Sequence, residues 1–231
     1  MKDGAGKIRM DRRQLLGGLA AAALGAGCAT GGKTPSTGKA PESSATNPAA
    51  QVAGTAEKPR ITRFRQLGRT GFKVSDIGLG CGSLASPNVV RFAYDAGVNF
   101  FDLAETYGNG DSERKVGQAM KHMERSRIFV VTKLKIHDKD DEQSLLRRFS
   151  QCQQRLNTPY VDALYMHSVS DLAQVGHPAF HKVCQRLKAD GRIRFVGISS
   201  HGPRGADGDS MEKVLTAAAQ DGRFDLMLLV I

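Results

Sequence analysis

The chain has 231 residues, 40% of them hydrophobic, and a formal net charge of +10, which is enough material for a single core of the α/β barrel size class. Half of that charge, +5, falls in residues 1–60, so the basic balance is a terminal feature and not the mark of a nucleic-acid-binding face. The cysteines at 28, 81, 152 and 184 have neither metal-ligand spacing nor a redox pair, which argues against a zinc module or a disulfide framework; Cys152 and Cys184 read as small buried helix residues.

Residues 1–28 read as a targeting segment. Asp11-Arg12-Arg13-Gln14-Leu15-Leu16 sets paired arginines before a Gly/Ala-rich apolar run, Leu15 to Gly27, that is too short to span a bilayer. This is the layout of a twin-arginine signal and predicts bacterial export to a periplasmic or envelope location, the plainer alternative being a single-pass anchor or a disordered tail. Leu24-Gly25-Ala26-Gly27-Cys28 resembles a lipoprotein box, with Gly25 where a larger aliphatic residue is usual, so Cys28 is a candidate lipid anchor. Residues 29–60 contain almost no large apolar side chains and are expected to form a flexible linker. The globular domain is then 61–231.

Within it, Val74 to Gly82 fits a first barrel strand, and Ser86-Pro87 supplies a cap and a first-turn proline for a helix that Gly97 stops. A second strand, Val98 to Asp102, is followed by a helix from Asp111 or Ser112 with Val116, Met120 and Met123 at helical spacing. Ile128 to Thr132 is the third strand. Leu145, Phe149, Cys152 and Leu156 mark the clearest helix, about 141–156. Tyr160 to Met166 is the fourth strand; Phe180, Val183 and Leu187 share one face of the next helix, and Ile193 to Ile198 is the fifth strand. Asp209-x-x-Glu212 has capping-box spacing for a fifth helix, and the apolar run from Phe224 to Ile231 fits a fully buried parallel strand. Strict alternation with units near thirty residues predicts a (β/α)8 TIM barrel of which six strands and five helices are present. On this reading the chain ends after strand six, and its open barrel edge needs a partner or a missing C-terminal part.

Three of these strands end on a polar residue: Asp102, Lys133 and His167, with Tyr107 in the glycine-bounded loop after the first. Carbonyl reduction needs a proton donor near the oxygen, and a phenol with a pKa of about 10 is a weak one. An ammonium about 4 Å away, worth on the order of 4 kcal/mol at an effective dielectric of about 20, is expected to lower that pKa. Asp102 is the available counter-ion for Lys133, and a neutral His167 can hydrogen-bond the substrate oxygen. As a metal site, Asp102, Glu105, His137 and His167 are the rival ligand set, but the first strand ends Gly-Cys-Gly-Ser and offers no histidine.

The segments Phe-Asp-Leu-Ala-Glu-Thr-Tyr-Gly, Val-Thr-Lys, Leu-Tyr-Met-His and Gly-Arg-Ile-Arg-Phe-Val-Gly-Ile-Ser resemble the aldo-keto reductase family, as does Gln-Leu-Gly-Arg-Thr-Gly-Phe-Lys-Val-Ser-Asp-Ile-Gly-Leu-Gly-Cys-Gly. The likeness runs from about Arg63 onward, in the family's order. It implies a catalytic tetrad of Asp102, Tyr107, Lys133 and His167, with hydride from NADP(H) or NAD(H), a small carbonyl substrate and no metal. Ser199 falls where the family's Ser-Asn pair holds the nicotinamide amide, while Ser200 replaces the asparagine. Leu228 stands where many members have a glutamine that grips the amide, and Ile231 about where a tyrosine would stack. Because the family's phosphate contacts follow strands seven and eight, weak cofactor binding is expected of this chain, and a catalytically feeble, exported binding module is the alternative reading.

Overall fold

A computed structural model describes residues 60–229. The signal segment, the lipoprotein box at Cys28, nearly all of the linker and the last two residues of the apolar C-terminal run lie outside the described residues.

The domain opens with an antiparallel hairpin of β1 (Phe64–Gln66) and β2 (Lys73–Ser75), with Phe64 opposite Ser75. This corrects the single strand expected over Val74 to Gly82. Val74 belongs to the hairpin, and the first barrel strand is β3 (Leu79–Gly80). The break between them has a local cause. Asn99 Oδ1 accepts from the Ser75 amide at 2.7 Å, its amide donates to the Lys73 carbonyl at 2.9 Å, and the Ser75 hydroxyl donates to the Ile77 carbonyl at 2.7 Å. Backbone groups captured by side chains no longer feed a ladder.

Six parallel strands then pair in chain order: β3, β4 (Phe100–Asp102), β5 (Phe129–Leu134), β6 (Val161–Met166), β7 (Ile193–Ser200) and β8 (Leu226–Leu229). The crossovers carry α1 (Pro87–Asp95), α2 (Asp111–Met120), α3 (Glu142–Leu156), the short α4 (Leu172–Val175) with α5 (Pro178–Ala189), and α6 (Met211–Asp221). Alternate strand residues face two cores. Val130, Leu134, Leu164 and Ile198 pack with the helices, while Phe129, Val131, Ala163, Tyr165 and Leu226 fill the barrel interior, with Val74, Leu67 and Phe72 of the hairpin packed against them. Gly197 is required in that interior, because a Cβ there would run into the Tyr165 ring.

The helix caps show how local chemistry sets these units. Asp141 Oδ1 accepts from the Ser144 amide at 2.7 Å and Ser144 Oγ accepts from the Asp141 amide at 3.2 Å, so α3 starts on a reciprocal capping box. It ends on Asn157 at φ 50°, and Leu145, Phe149, Cys152 and Leu156 are all buried as expected. In α1, by contrast, Phe92 is exposed rather than a core residue. At α6 the capping residue is Ser210, whose hydroxyl accepts from the Lys213 amide, and not Asp209. Asp209 instead accepts from the Leu172 amide at 3.0 Å, holding the unexpected α4. β8 is also less enclosed than its composition suggested, with Met227 and Leu229 exposed.

Candidate active site

The strand register carries three of the four sequence-selected residues to the C-terminal ends of adjacent strands. Asp102 closes β4 opposite Val131, Lys133 sits on β5 opposite Tyr165, and His167 follows β6 directly. Lys133 and Tyr165 continue the inward-facing alternation of Val131 and Ala163. The ammonium therefore points into the barrel mouth although the side chain is only 1% exposed.

There Lys133 Nζ donates to Asp102 Oδ2 at 2.6 Å, to the Leu103 carbonyl at 2.9 Å and to Tyr107 Oη at 3.4 Å. His167 stands at right angles to the Tyr107 ring, with centroids 5.6 Å apart, and its Nδ1 is 3.5 Å from Thr106 Oγ1. All four residues are thus brought together. Burial pushes the Asp102 carboxyl up and the Lys133 ammonium down, and their contact opposes both shifts. Burial, with Lys133, Lys135, His201 and Arg204 adding to it, depresses His167 to about 4, so its imidazole is neutral at physiological pH. The expectation for Tyr107 is corrected: its phenol is pushed up, by burial first and by Asp102 next. The ammonium that should have lowered it is neutralised by a carboxylate at 2.6 Å.

Two sets of contacts fix the Tyr107 turn. Gly108, Asn109 and Gly110 take φ values of 56°, 52° and 83°, three left-handed residues in a row that return the chain sharply into α2. Glu105, two residues before Tyr107, accepts a bidentate pair of hydrogen bonds from Nε and Nη2 of Arg148, and its Oε1 also accepts from the Lys135 amide at 3.0 Å. Arg148 also donates to Asp140 Oδ2 and to the Lys135 carbonyl. Beyond the turn, fully buried Glu113 accepts from Thr132 Oγ1 and from Arg155 Nε, both at 2.6 Å. Sequence reasoning cast Glu105 only as a rival metal ligand and did not pair it. Its partner lies 43 residues away, and nothing in the spacing of the two residues pairs them. His137, another of that rival set, is exposed, and its amide donates to Asp140.

The two serines at the end of β7 divide. By alternation with Phe195 and Gly197, Ser199 shares the interior side; its hydroxyl accepts from the Ser168 amide at 2.8 Å. Ser200 is on the helix side, donating to the Val169 carbonyl at 2.8 Å and accepting from the Gly202 amide. Leu228 packs against the interior core. Two buried side-chain atoms have no partner among the described residues, Asp102 Oδ1 here and Arg125 Nε at the other end of the sheet.

A parallel α/β barrel sheet that gathers a carboxylate, a lysine, a tyrosine and a histidine at the C-terminal strand ends has its polar residues where enzymes of this fold keep their active sites. The chain belongs to the aldo/keto reductase family, whose model matches residues 84–226. It is 30% identical over 157 residues to a probable aldo-keto reductase of Glycine max, covering 60% of this chain and 45% of that protein. It is 34% identical over 153 residues to an L-galactose dehydrogenase of Arabidopsis thaliana, covering 59% and 48%. The chain spans about half the length of these curated relatives. Its fold matches the holo form of an aldo-keto reductase of Bacillus halodurans with a TM-score of 0.58 at 24% identity, covering 73% of this chain and 57% of that one.

Proposed function

We propose that this oxidoreductase reduces an aldehyde or ketone to an alcohol, with Tyr107 as the proton donor and NADPH or NADH as the cofactor. The observation that carries the reading is the continuous contact from Asp102 through Lys133 to Tyr107, at 2.6 and 3.4 Å, beside a neutral His167. When bound, the nucleotide would supply hydride; Ser199, on the inward side at the end of β7, is the group of this chain suited to hold it.

The chain's own residues handle the proton. The raised phenol pKa keeps Tyr107 loaded with its proton, and the neutral His167 can orient the carbonyl oxygen toward it. A substrate oxygen gaining negative charge becomes an alkoxide-like base, far more basic than a phenolate. Transfer from a phenol to such a base runs downhill without any lowering of the phenol pKa. Lys133, fixed by Asp102 and the Leu103 carbonyl, then faces the phenolate. Tyr107→Phe is expected to cut kcat for a short aldehyde by about 10² to 10⁴-fold while nucleotide affinity, read by fluorescence titration, holds. A variant that keeps most of its turnover would overturn the assignment.

We also propose that the protein acts outside the cytoplasm, on the strength of Arg12-Arg13 before a weakly apolar run, and that Cys28 carries a lipid. Replacing both arginines with lysine and fractionating cells tests the first, and mass spectrometry of the mature N-terminus tests the second.

A further inference from the structure

The contact that carries the proposed reaction joins two segments at the upper limit of their strand pairing. Lys133 Nζ meets Tyr107 Oη at 3.4 Å, while the register of β4 with β5 stops at Asp102 and Val131. Past that point two more rungs form, the Leu103 amide donating to the Val131 carbonyl at 2.9 Å and the Glu105 amide to the Lys133 carbonyl at 3.1 Å. The next rung of a parallel pair would take the Lys135 amide to the Glu105 carbonyl. The Lys135 amide donates instead to Glu105 Oε1 at 3.0 Å. With a side chain in place of the carbonyl, the main chain after Glu105 is free to leave the sheet, and it turns at once, the Tyr107 amide donating to the Ala104 carbonyl at 3.0 Å.

A carboxylate can stand in for a backbone rung only while something holds it still, and here that is Arg148 of α3. Its Nε and Nη2 pair with the two oxygens of Glu105, Nη2 also donates to the Lys135 carbonyl, and Nη1 donates to Asp140 Oδ2 at 2.9 Å. The Arg148 side chain is 23% exposed and its two acids 14% and 11%, so these pairs are shielded as surface bridges are not. One guanidinium thus grips the chain two residues before the proton donor and two residues after its lysine. Thr106 lies between the grip and the phenol, its Oγ1 3.5 Å from His167 Nδ1, so the same brace also bears on the histidine.

We propose that Arg148 is a positioning residue of the reaction: by bridging Glu105 and the Lys135 carbonyl it sets the reach between Tyr107 and Lys133, although it touches neither. This rests on the carbonyl reduction proposed above and adds a residue to it. The fork matters as well as the charge, because a single ammonium cannot reach Glu105, Asp140 and a carbonyl in fixed directions.

The full chain is compared with Arg148→Lys and Arg148→Met by turnover of a short aldehyde, by NADPH affinity in a fluorescence titration, and by hydrogen exchange with mass spectrometry across 103–112 and across β6. A misplacement of about 1 Å is enough for a 10²-fold loss, so kcat is expected to fall about 10²-fold in Arg148→Met and about tenfold in Arg148→Lys, with KM and nucleotide affinity little moved. Exchange is expected to quicken in 103–112 and to stay unchanged in β6. An unchanged kcat in both variants overturns the proposal, as does a loss that falls on KM or nucleotide affinity alone. So does exchange that quickens equally in β6, which is what a brace of the whole fold would give. If Arg148→Met does not fold, Arg148→Lys, which keeps a cation beside both acids, decides by the same measurements. If the unsubstituted chain reduces no aldehyde, the proposed activity has failed and exchange decides alone. Faster exchange confined to 103–112 then upholds the brace, and no change or a uniform rise sinks it.

Discussion

The barrel holds a carboxylate at each end of its sheet, Asp162 fully buried and Asp102 partly exposed, and the two are finished differently. At the N-terminal end Asp162 is fully buried, with Oδ1 accepting from Arg194 at 3.1 Å and Oδ2 from the Val130 amide at 2.9 Å and from Arg125 at 2.7 Å. The Tyr160 ring lies against both guanidiniums, at 4.0 and 4.6 Å. At the C-terminal end Asp102 has a single cation, Lys133, and its Oδ1 has no donor among the described residues. A carboxylate whose acceptor sites are filled by the fold belongs to stability. One paired with a lysine that also reaches a tyrosine hydroxyl at the barrel mouth is placed for chemistry.

The comparison is most severely tested by removing each unit. Replacing the upper pair together, Asp102→Leu with Lys133→Met, is expected to cost at least about 10³-fold in turnover and to leave stability equal or higher, since a buried ion pair is often no better than apolar residues of like volume. A large fall in the urea midpoint would show that the upper pair is structural after all. Next in size, Asp162→Ala strands Arg125 and is expected to lose about 3–5 kcal/mol of stability while kcat per folded molecule holds. Lost turnover at full stability would erase the distinction between the two ends.

The smallest expected effect sharpens the account of the upper end. His167 titrates at about 4 when folded, below its ordinary 6.5, so between those values the unfolded chain binds a proton that the folded chain refuses. Stability present above pH 6.5 is therefore lost as the pH falls toward 4, and His167→Gln should flatten this part of the profile. Asp102, raised on folding, pulls the opposite way at low pH, so the informative quantity is the difference between the two proteins. An imidazole shown by NMR to protonate above pH 6 would refute the assignment.

Most of the fold was legible because each helix had to bury one stripe and the central strands both faces. Leu145, Phe149, Cys152 and Leu156 could hardly fall at helical spacing for any other reason, and all four are buried. The opening hairpin escaped notice because β1 is exposed along its whole length and leaves no periodic trace. The α6 cap was misplaced because Asp209 and Ser210 are both good capping residues, and only the tertiary contact with Leu172 decides between them. At the site, the four reactive side chains could be named from motif and spacing. The sense of the Tyr107 shift could not, since it depends first on how far the fold buries the phenol and then on the Asp102 carboxylate beside the ammonium. Nor could the pairing of Glu105 with Arg148, a contact made only once α3 has docked on the sheet.

The sheet order bears on how the protein comes into being. Every parallel strand from β4 to β8 lies beside the strand made just before it, so each unit closes a loop of similar, modest length and none waits for a distant segment. Loop-closure entropy is then met in small equal steps, and each completed strand offers the template for the next. The domain can assemble in the direction of its synthesis, β4 receiving β5 and β5 receiving β6, while later residues are still in the ribosome. On that schedule the contact of Asp102 and Tyr107 with Lys133 is ready as soon as β5 has paired.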